Sequence, residues 1–476
     1  MRLMLSAASA LSILAVPALA GEISIPPEAR SKLSVSVYAS GNALVRERRQ
    51  AQLPTGASKV VFQEVSPLLN PSTAWLSGDS VDVDSIDFLF DTLTPQTLLN
   101  RSLGKNVGVV RTNPATGAVT TEQATVLSVK GGPVLKIGER IEAGMPEKLV
   151  FSQLPEGLRP EPAIMAHVKA PQAGKYDLDF SYQTGGLGWK AVYTGILGEK
   201  MDRLDLSGQA ILTNTSGVRF AEARLSLLSG EPRRIAERPA PQYEDMQALE
   251  SAPAPRLMMA KAPPPQAAEE DFGTLRAFQL ASAVTLDINQ TKQVHLLKDE
   301  GLKTSRDYVL EYGFNPASVR FQGPQAYEMR PDITLGFDVP KERSALPAGV
   351  VRIYQKDKSG EIQLLGEDRL KAAVKGEAVK LSLGRAYDVS AKWRQTEYGM
   401  QSKQNVFEGD VAWEIEMQNA KADEVTVRIV QPMTNQWSII DSSHPHQKTS
   451  AHRAEWLVKI PAEGKALLKV KAHLKN

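Results

Sequence analysis

The sequence predicts an all-β protein made of several β-sandwich and Ig-like modules. Three observations carry that expectation. Apolar and polar residues alternate with period two along most of the chain. Turn residues interrupt the pattern about every 8–12 residues. Beyond the N-terminus, no stretch keeps a helical period for three turns. The composition agrees: 476 residues, 42% hydrophobic and 23% charged, as in folded domains, with length for about three of them. The absence of cysteine excludes disulfides, thiolate zinc sites, Fe–S clusters and cysteine nucleophiles. With 56 basic and 54 acidic residues, no global field favours nucleic acid.

Residues 1–20 form a different kind of segment. Arg2 is followed by an apolar run from Leu3 to Val16, then Pro17 and Ala18-Leu19-Ala20. A short apolar core with a small-x-small end reads as a secretory signal peptide, cut between Ala20 and Gly21. The run is too short for a spanning helix, which needs about 20 apolar residues. No later stretch resembles one, so no transmembrane segment is expected after cleavage. The signal has no cysteine to carry a lipid anchor, a secreted chain without disulfides must be held by its own cores, and a periplasmic location is expected.

An N-terminal β domain is expected over 21–164. Leu33 to Tyr38 alternates, and Gly41-Asn42 leads into Ala43 to Arg48, which predicts a hairpin. Lys59 to Phe62 is a third strand. Val81 to Asp84 and Ile86 to Phe90 alternate in opposite phases, which places a bulge near Ser85. Four short strands with tight turns over 104–141 suggest a small SH3-like barrel.

A sandwich region is expected in two parts, 165–230 and 273–385. In the first, Tyr176 to Tyr182 alternates, Trp189, Ala191 and Tyr193 share a face, and Asn214 to Gly217 makes a turn. In the second, strands start near Val284, Val294, Tyr308, Ile333 and Gly349, and a turn over Lys356 to Gly360 joins Gly349–Tyr354 to Ile362–Leu365. Between the parts, residues 231–272 hold 8 Pro, 9 Ala and no Gly. That composition reads as a disordered surface insertion, in which Met246, Leu249, Met258 and Met259 could form short helical turns. An Ig-like sandwich is expected over 386–476, from strands such as Val411 to Met417 and Val425 to Val430.

Four segments carry a family resemblance: Ser181 to Tyr193, Leu206 to Gly230, Pro347 to Asp357 with Leu365 to Asp368, and Leu383 to Val389. In this order, with a Pro-rich insertion between the second and third, they resemble the DUF4139 family over about 165–475. The chain lacks the coiled-coil N-terminal section of the mucoidy inhibitor-like relatives. The family is defined by sequence and has no assigned activity, so the resemblance implies no catalytic residue.

Candidate sites are few. His444-Pro445-His446 with His452 nearby is the densest histidine cluster, but proline favours a loop there and no further ligand stands at zinc spacing. Asp82, Asp84, Asp87 and Asp91 lack the calcium-loop pattern and read as a solvated strand face. Glu367 and Asp368 are adjacent, so a strand points them to opposite faces. Gly185-Gly186-Leu187-Gly188 is a turn rather than a phosphate loop, and Trp189 with Tyr193 reads as core, with ligand stacking by Trp189 as the alternative. Ser181, Ser207, Ser216 and Ser229 lack a nucleophile elbow. Lys469, Lys471 and Lys475 read as the solvent face of the last strand, guarding an edge. No catalytic residue, metal site or cofactor is expected. The expected role is a non-enzymatic binding or assembly module for an envelope protein or surface polymer, through the insertion in one version. The alternative is a periplasmic hydrolase or metal enzyme using His444, His446, Glu367 or Asp368.

Overall fold

The computed structural model describes residues 21–155, 158–230, 232, 267–313, 315–316, 326–343, 345–357, 359–403, 406–434 and 436–475. The expected signal peptide and cleavage residue Ala20, and nearly all of the insertion including its four apolar residues, lie outside them. Strands are the dominant regular structure of the described residues, which contain a single α-helix, so the all-β expectation holds. The chain divides into two compact units, the first within Met1–Gly188, Thr213–Ser226 and Ser282–Thr291, the second within Trp189–Leu212, Leu227–Ala281 and Lys292–Asn476.

The first unit is a sandwich. One sheet runs Ile23–Ile25, Gly56–Gln63, Ala163–Ala170, Asp82–Leu89, with its first pair parallel. The other contains, as successive neighbours, Arg30–Tyr38, Asn42–Leu53, Gly174–Gly185 and Trp75–Gly78, all antiparallel. Period-two alternation turns Val35, Val45, Leu178 and Phe180 inward, where they meet Val60, Phe62, Ala166 and Val168. Phe180 packs against Phe62 at 5.4 Å and Tyr182 at 5.0 Å between ring centres. The expected hairpin is present, with Val37 opposite Ala43. The expected bulge is present too: His167 pairs with Ser85 and Val168 with Val83, so Asp84 is the extra residue.

Two boundaries differ from expectation. Strands Ala163–Ala170 and Gly174–Gly185 complete the two N-terminal sheets, so this unit does not end at 164. The segment expected as a small barrel is an open five-stranded sheet, ordered Arg140–Ala143, Val134–Ile137, Val119–Ser128, Asn106–Thr112, Lys148–Val150. Its outer strands do not pair, although Gly144 to Glu147 joins them. Five residue steps reach at most about 18 Å, while four flat strand spacings need about 19 Å. The sheet therefore curls, around a small core of Val107, Val109, Ala124, Val126, Leu135, Ile137 and Leu99. Leu99 comes from a helix, Pro95–Arg101, that is too short to show a period. Thr94 caps it, accepting from Thr97 N at 3.1 Å while Thr97 Oγ1 accepts from Thr94 N at 2.9 Å.

In the second unit one sheet follows the path Ile362–Leu370, Gly349–Lys356, Leu187–Leu197, Arg203–Asn214, Gln290–Glu311, Val425–Pro432, Arg453–Ile460, His446–Ser450. A second sheet runs Tyr327–Met329, Val389–Tyr398, Val406–Asn419, Lys465–Lys475, Gln436–Ser442. Trp393, Trp413 and Ile415 from the second meet Val427, Ile429 and Trp456 from the first in a sandwich core. The Ig-like expectation started this module at 386. The core also takes Tyr308, Leu310 and Tyr312, because Gln290–Glu311 pairs in parallel with Val425–Pro432. Strands expected separately near Val294 and Tyr308 are one 22-residue strand, which passes Gly301 at φ 65°. A further parallel pair places Gly349 beside Ala191. The insertion also ends earlier than 272: Ala268–Phe272 pairs with Leu275–Gln279, and Arg343 binds Glu269 at 2.8 Å and Asp299 at 2.8 and 2.9 Å.

Both units close a strand end in the same way. Asn214 accepts from Ser216 N at 3.1 Å and donates to Val218 O at 2.8 Å. Asn419 accepts from Lys421 N at 3.0 Å and donates to Asp423 O at 2.8 Å. In each, a buried amide satisfies backbone groups that the turn would leave unpaired.

Candidate functional site

The residues singled out from the sequence mostly serve the fold. Trp189 is 6% exposed and donates its Nε1 to Leu228 O at 3.1 Å, so ligand stacking by Trp189 is replaced by core packing. Tyr193 is buried and donates to Pro347 O at 2.7 Å, and burial pushes its phenol well above the usual range. Gly186 turns at φ 76°, where a Cβ would lie 2.7 Å from Ser216 backbone atoms. Glu367 pairs with Arg352 at 2.9 Å, while Asp368 accepts from Ser382 N at 2.7 Å. His446 lies 6.5 Å from Trp437 and 6.2 Å from Trp456, ring to ring, and His444 meets Ser443 Oγ at 2.9 Å.

The strands bearing Glu367 and His446 are the two end strands of the eight-strand path, and the two side chains have different neighbours, Arg352 for Glu367 and the rings of Trp437 and Trp456 for His446. Among the described residues, no three His, Asp or Glu side chains come together as metal ligands. Asp87 contacts His167 at 3.1 Å, Asp91 pairs with Arg101, and Asp82 and Asp84 are exposed. The terminal lysines do not guard an edge. Lys465–Lys475 is an interior strand, and Lys471 and Lys475 reach Glu397 at 2.9 Å and Glu408 at 3.6 Å.

A surface that sequence reading passed over has the better geometry. It is the outward face of the first unit's sheet of Arg30–Tyr38, Asn42–Leu53, Gly174–Gly185 and Trp75–Gly78. Register places Ser34 opposite Arg46, Arg46 opposite Ser181, and Ser181 opposite Trp75. Directly paired residues point to the same face, so Ser34, Arg46, Ser181 and Trp75 form one row across four strands. The next row is Lys32, Arg48, Asp179, Ser77. Together with Leu44 they line a shallow cleft of about 520 Å³.

Trp75 is 66% exposed while its neighbour Leu76 is buried, so the strand anchors by Leu76 and presents the indole outward. Arg48 is held flat against the sheet, its Nε and Nη2 donating to Asp179 at 2.7 and 2.6 Å. That guanidinium holds the Asp179 carboxyl below the usual carboxylate range. Arg46 is exposed and, among the described residues, has no carboxylate partner. The serine hydroxyls beside it are likewise without protein partners there.

The strand that carries Arg46 and Arg48 outward carries Glu47 and Arg49 inward. Arg49 is fully buried. It donates to Ile25 O at 2.9 Å, Gln63 O at 2.8 Å and both Glu47 oxygens at 2.9 and 3.1 Å. Arg30 reaches the same carboxylate at 2.7 Å. The face is thus backed by an ion cluster that ties the two sheets together.

Residues 178–475, more than half of the chain, match the family described as Domain of unknown function (DUF4139). The chain belongs to the DUF4139 family. A search of curated proteins finds no match for it. The family match begins at Leu178, on the strand that lends Asp179 and Ser181 to the open face. The rest of that face, Lys32, Ser34, Arg46, Arg48 and Trp75, precedes the DUF4139 segment.

Proposed function

We propose that this DUF4139 protein is an exported, non-enzymatic binding module of the cell envelope, holding a glycan strand on the open face of its N-terminal sheet. The observation that carries this reading is the row Ser34, Arg46, Ser181, Trp75. An exposed indole offers a flat apolar platform for a sugar ring, and hydroxyl and guanidinium groups beside it match a ligand rich in hydroxyls. A peptide strand fits this face less well. Backbone groups of the two middle strands are already used on both sides, and the cleft sets charged and hydroxyl side chains beside Leu44 and Trp75, a mixture that suits a hydroxyl-rich ligand. Export rests on the segment before Gly21, which also brings the module to where surface polymers are. Among the described residues, no helix is long and apolar enough to cross a membrane.

The test is co-sedimentation of residues 21–476 with isolated envelope polysaccharide, followed by sizing of the polymer. Wild-type protein should sediment with it, Trp75→Ala should not, and chain length should stay constant. Failure of wild type to sediment, or shortening of the polymer, would reject the reading.

A further inference from the structure

We infer that the glycan held on this face carries carboxylate groups, which Arg46 binds while Trp75 stacks against a sugar ring. The inference rests on the glycan-binding reading above and narrows it to a substrate class. It follows from how charge is distributed over the face. Arg48 is neutralised by Asp179 at 2.6 Å, with Asp177 at 3.9 Å beyond it. Lys32 stands in the same row and acts on Asp179 as well. Arg46, one row away, has only Ser34 and Ser181 in register beside it. The face therefore presents one open guanidinium fork among short hydroxyl side chains, with the Lys32 ammonium in the next row.

The distance to the aromatic platform is set by the sheet. Arg46 and Trp75 are two strands apart, so their backbones lie about 9–10 Å from each other. Both side chains border the same cleft. A planar guanidinium pairs best with a planar two-oxygen anion. A neutral glycan satisfies Trp75 but leaves the fork facing water. A phosphate polymer satisfies the fork but offers no ring to the indole. A glycan of sugar acids satisfies both.

The experiment titrates residues 21–476 with oligogalacturonate, a neutral glucan oligomer of equal length, and polyphosphate. The proteins compared are wild type, Trp75→Ala, Arg46→Gln and Arg46→Lys, with circular dichroism to confirm folding. Oligogalacturonate should bind most tightly. Arg46→Gln should weaken it by about tenfold or more, the scale of one charge-assisted pair. Arg46→Lys should restore only part of that, because the ammonium keeps the charge but not the fork. If the neutral glucan binds as tightly and Arg46→Gln changes nothing, the acidic class is wrong while glycan binding stands. If no glycan binds, or Trp75→Ala leaves binding intact, both fall. If polyphosphate binds best, with Trp75→Ala without effect, the face is a phosphate site and the inference is overturned.

Discussion

Replacing Arg49 with Met should loosen the first unit far more than its single charge suggests. Arg49→Met keeps an unbranched chain but removes four hydrogen bonds and the contact of the guanidinium with Phe62, 5.6 Å from the ring centre. Glu47, with a side chain only 1% exposed, would keep Arg30 as its one partner. Breaking a buried ion pair from one side costs about 3–5 kcal/mol. At about 1.4 kcal/mol per tenfold, that is a rise of roughly 100- to 4,000-fold in the open population. The chain has two units, so one global unfolding energy is not well defined. Hydrogen exchange in peptides covering Asn42–Leu53 and Gly56–Gln63 reads the opening locally. The double variant Glu47→Leu/Arg49→Met removes both buried charges and should recover much of the loss, since apolar replacement of a buried pair is often neutral. The reasoning fails if Arg49→Met exchanges within about tenfold of wild type, or if the double variant is worse than the single.

Gly349→Ala should disrupt the parallel pair with Ala191, because the new Cβ would lie 2.3 Å from Ala191 O. A cost of about 3 kcal/mol or more is expected, visible as faster exchange in Gly349–Lys356, whereas normal protection there would contradict the close approach. His473 sits between Asp410 at 2.8 Å and Glu408 at 3.2 Å, which raises its pKa, while the His473 bond lowers that of Glu408. The histidine's contribution is then full below its ordinary value of about 6.5 and is lost as pH rises through the raised folded value. The Glu408 contribution is lost as pH falls through its lowered value. His473→Gln should flatten the dependence of the second unit's stability on pH above 6, measured in a Trp75→Phe background by denaturant melts followed through tryptophan fluorescence, which then reports that unit alone; an unchanged profile would refute the assignment.

Much of the fold was legible because it depends on local alternation. The hairpin at Gly41-Asn42, the bulge at Asp84 and the core role of Trp189 all follow from which residues face inward. What escaped depends on pairing between distant segments. The parallel contacts of Gln290–Glu311 with Val425–Pro432 leave no local signature, so the C-terminal module looked shorter than it is. Helix Pro95–Arg101 is seven residues, too few for a period, although Thr94-Pro95 marks its start. The face around Trp75 was the least legible part. Trp75–Gly78 is four residues long, and only its pairing with Leu178–Ser181, about a hundred residues later, places Trp75 in line with Arg46. Glu47 and Arg49 hid too: charges on both faces of one strand erase the alternation that marks burial.

The central claim, that a glycan lies on the face around Trp75, is tested most directly by fluorine NMR. All six tryptophans would be labelled as 5-fluorotryptophan, and the Trp75 signal assigned with Trp75→Phe. Trp75 is the sole tryptophan within the first unit, and it is 66% exposed. Adding oligogalacturonate should shift or broaden the Trp75 resonance and leave those of the buried Trp189, Trp393, Trp413 and Trp456 in place. A saturating titration in which the Trp75 signal does not move would contradict the account.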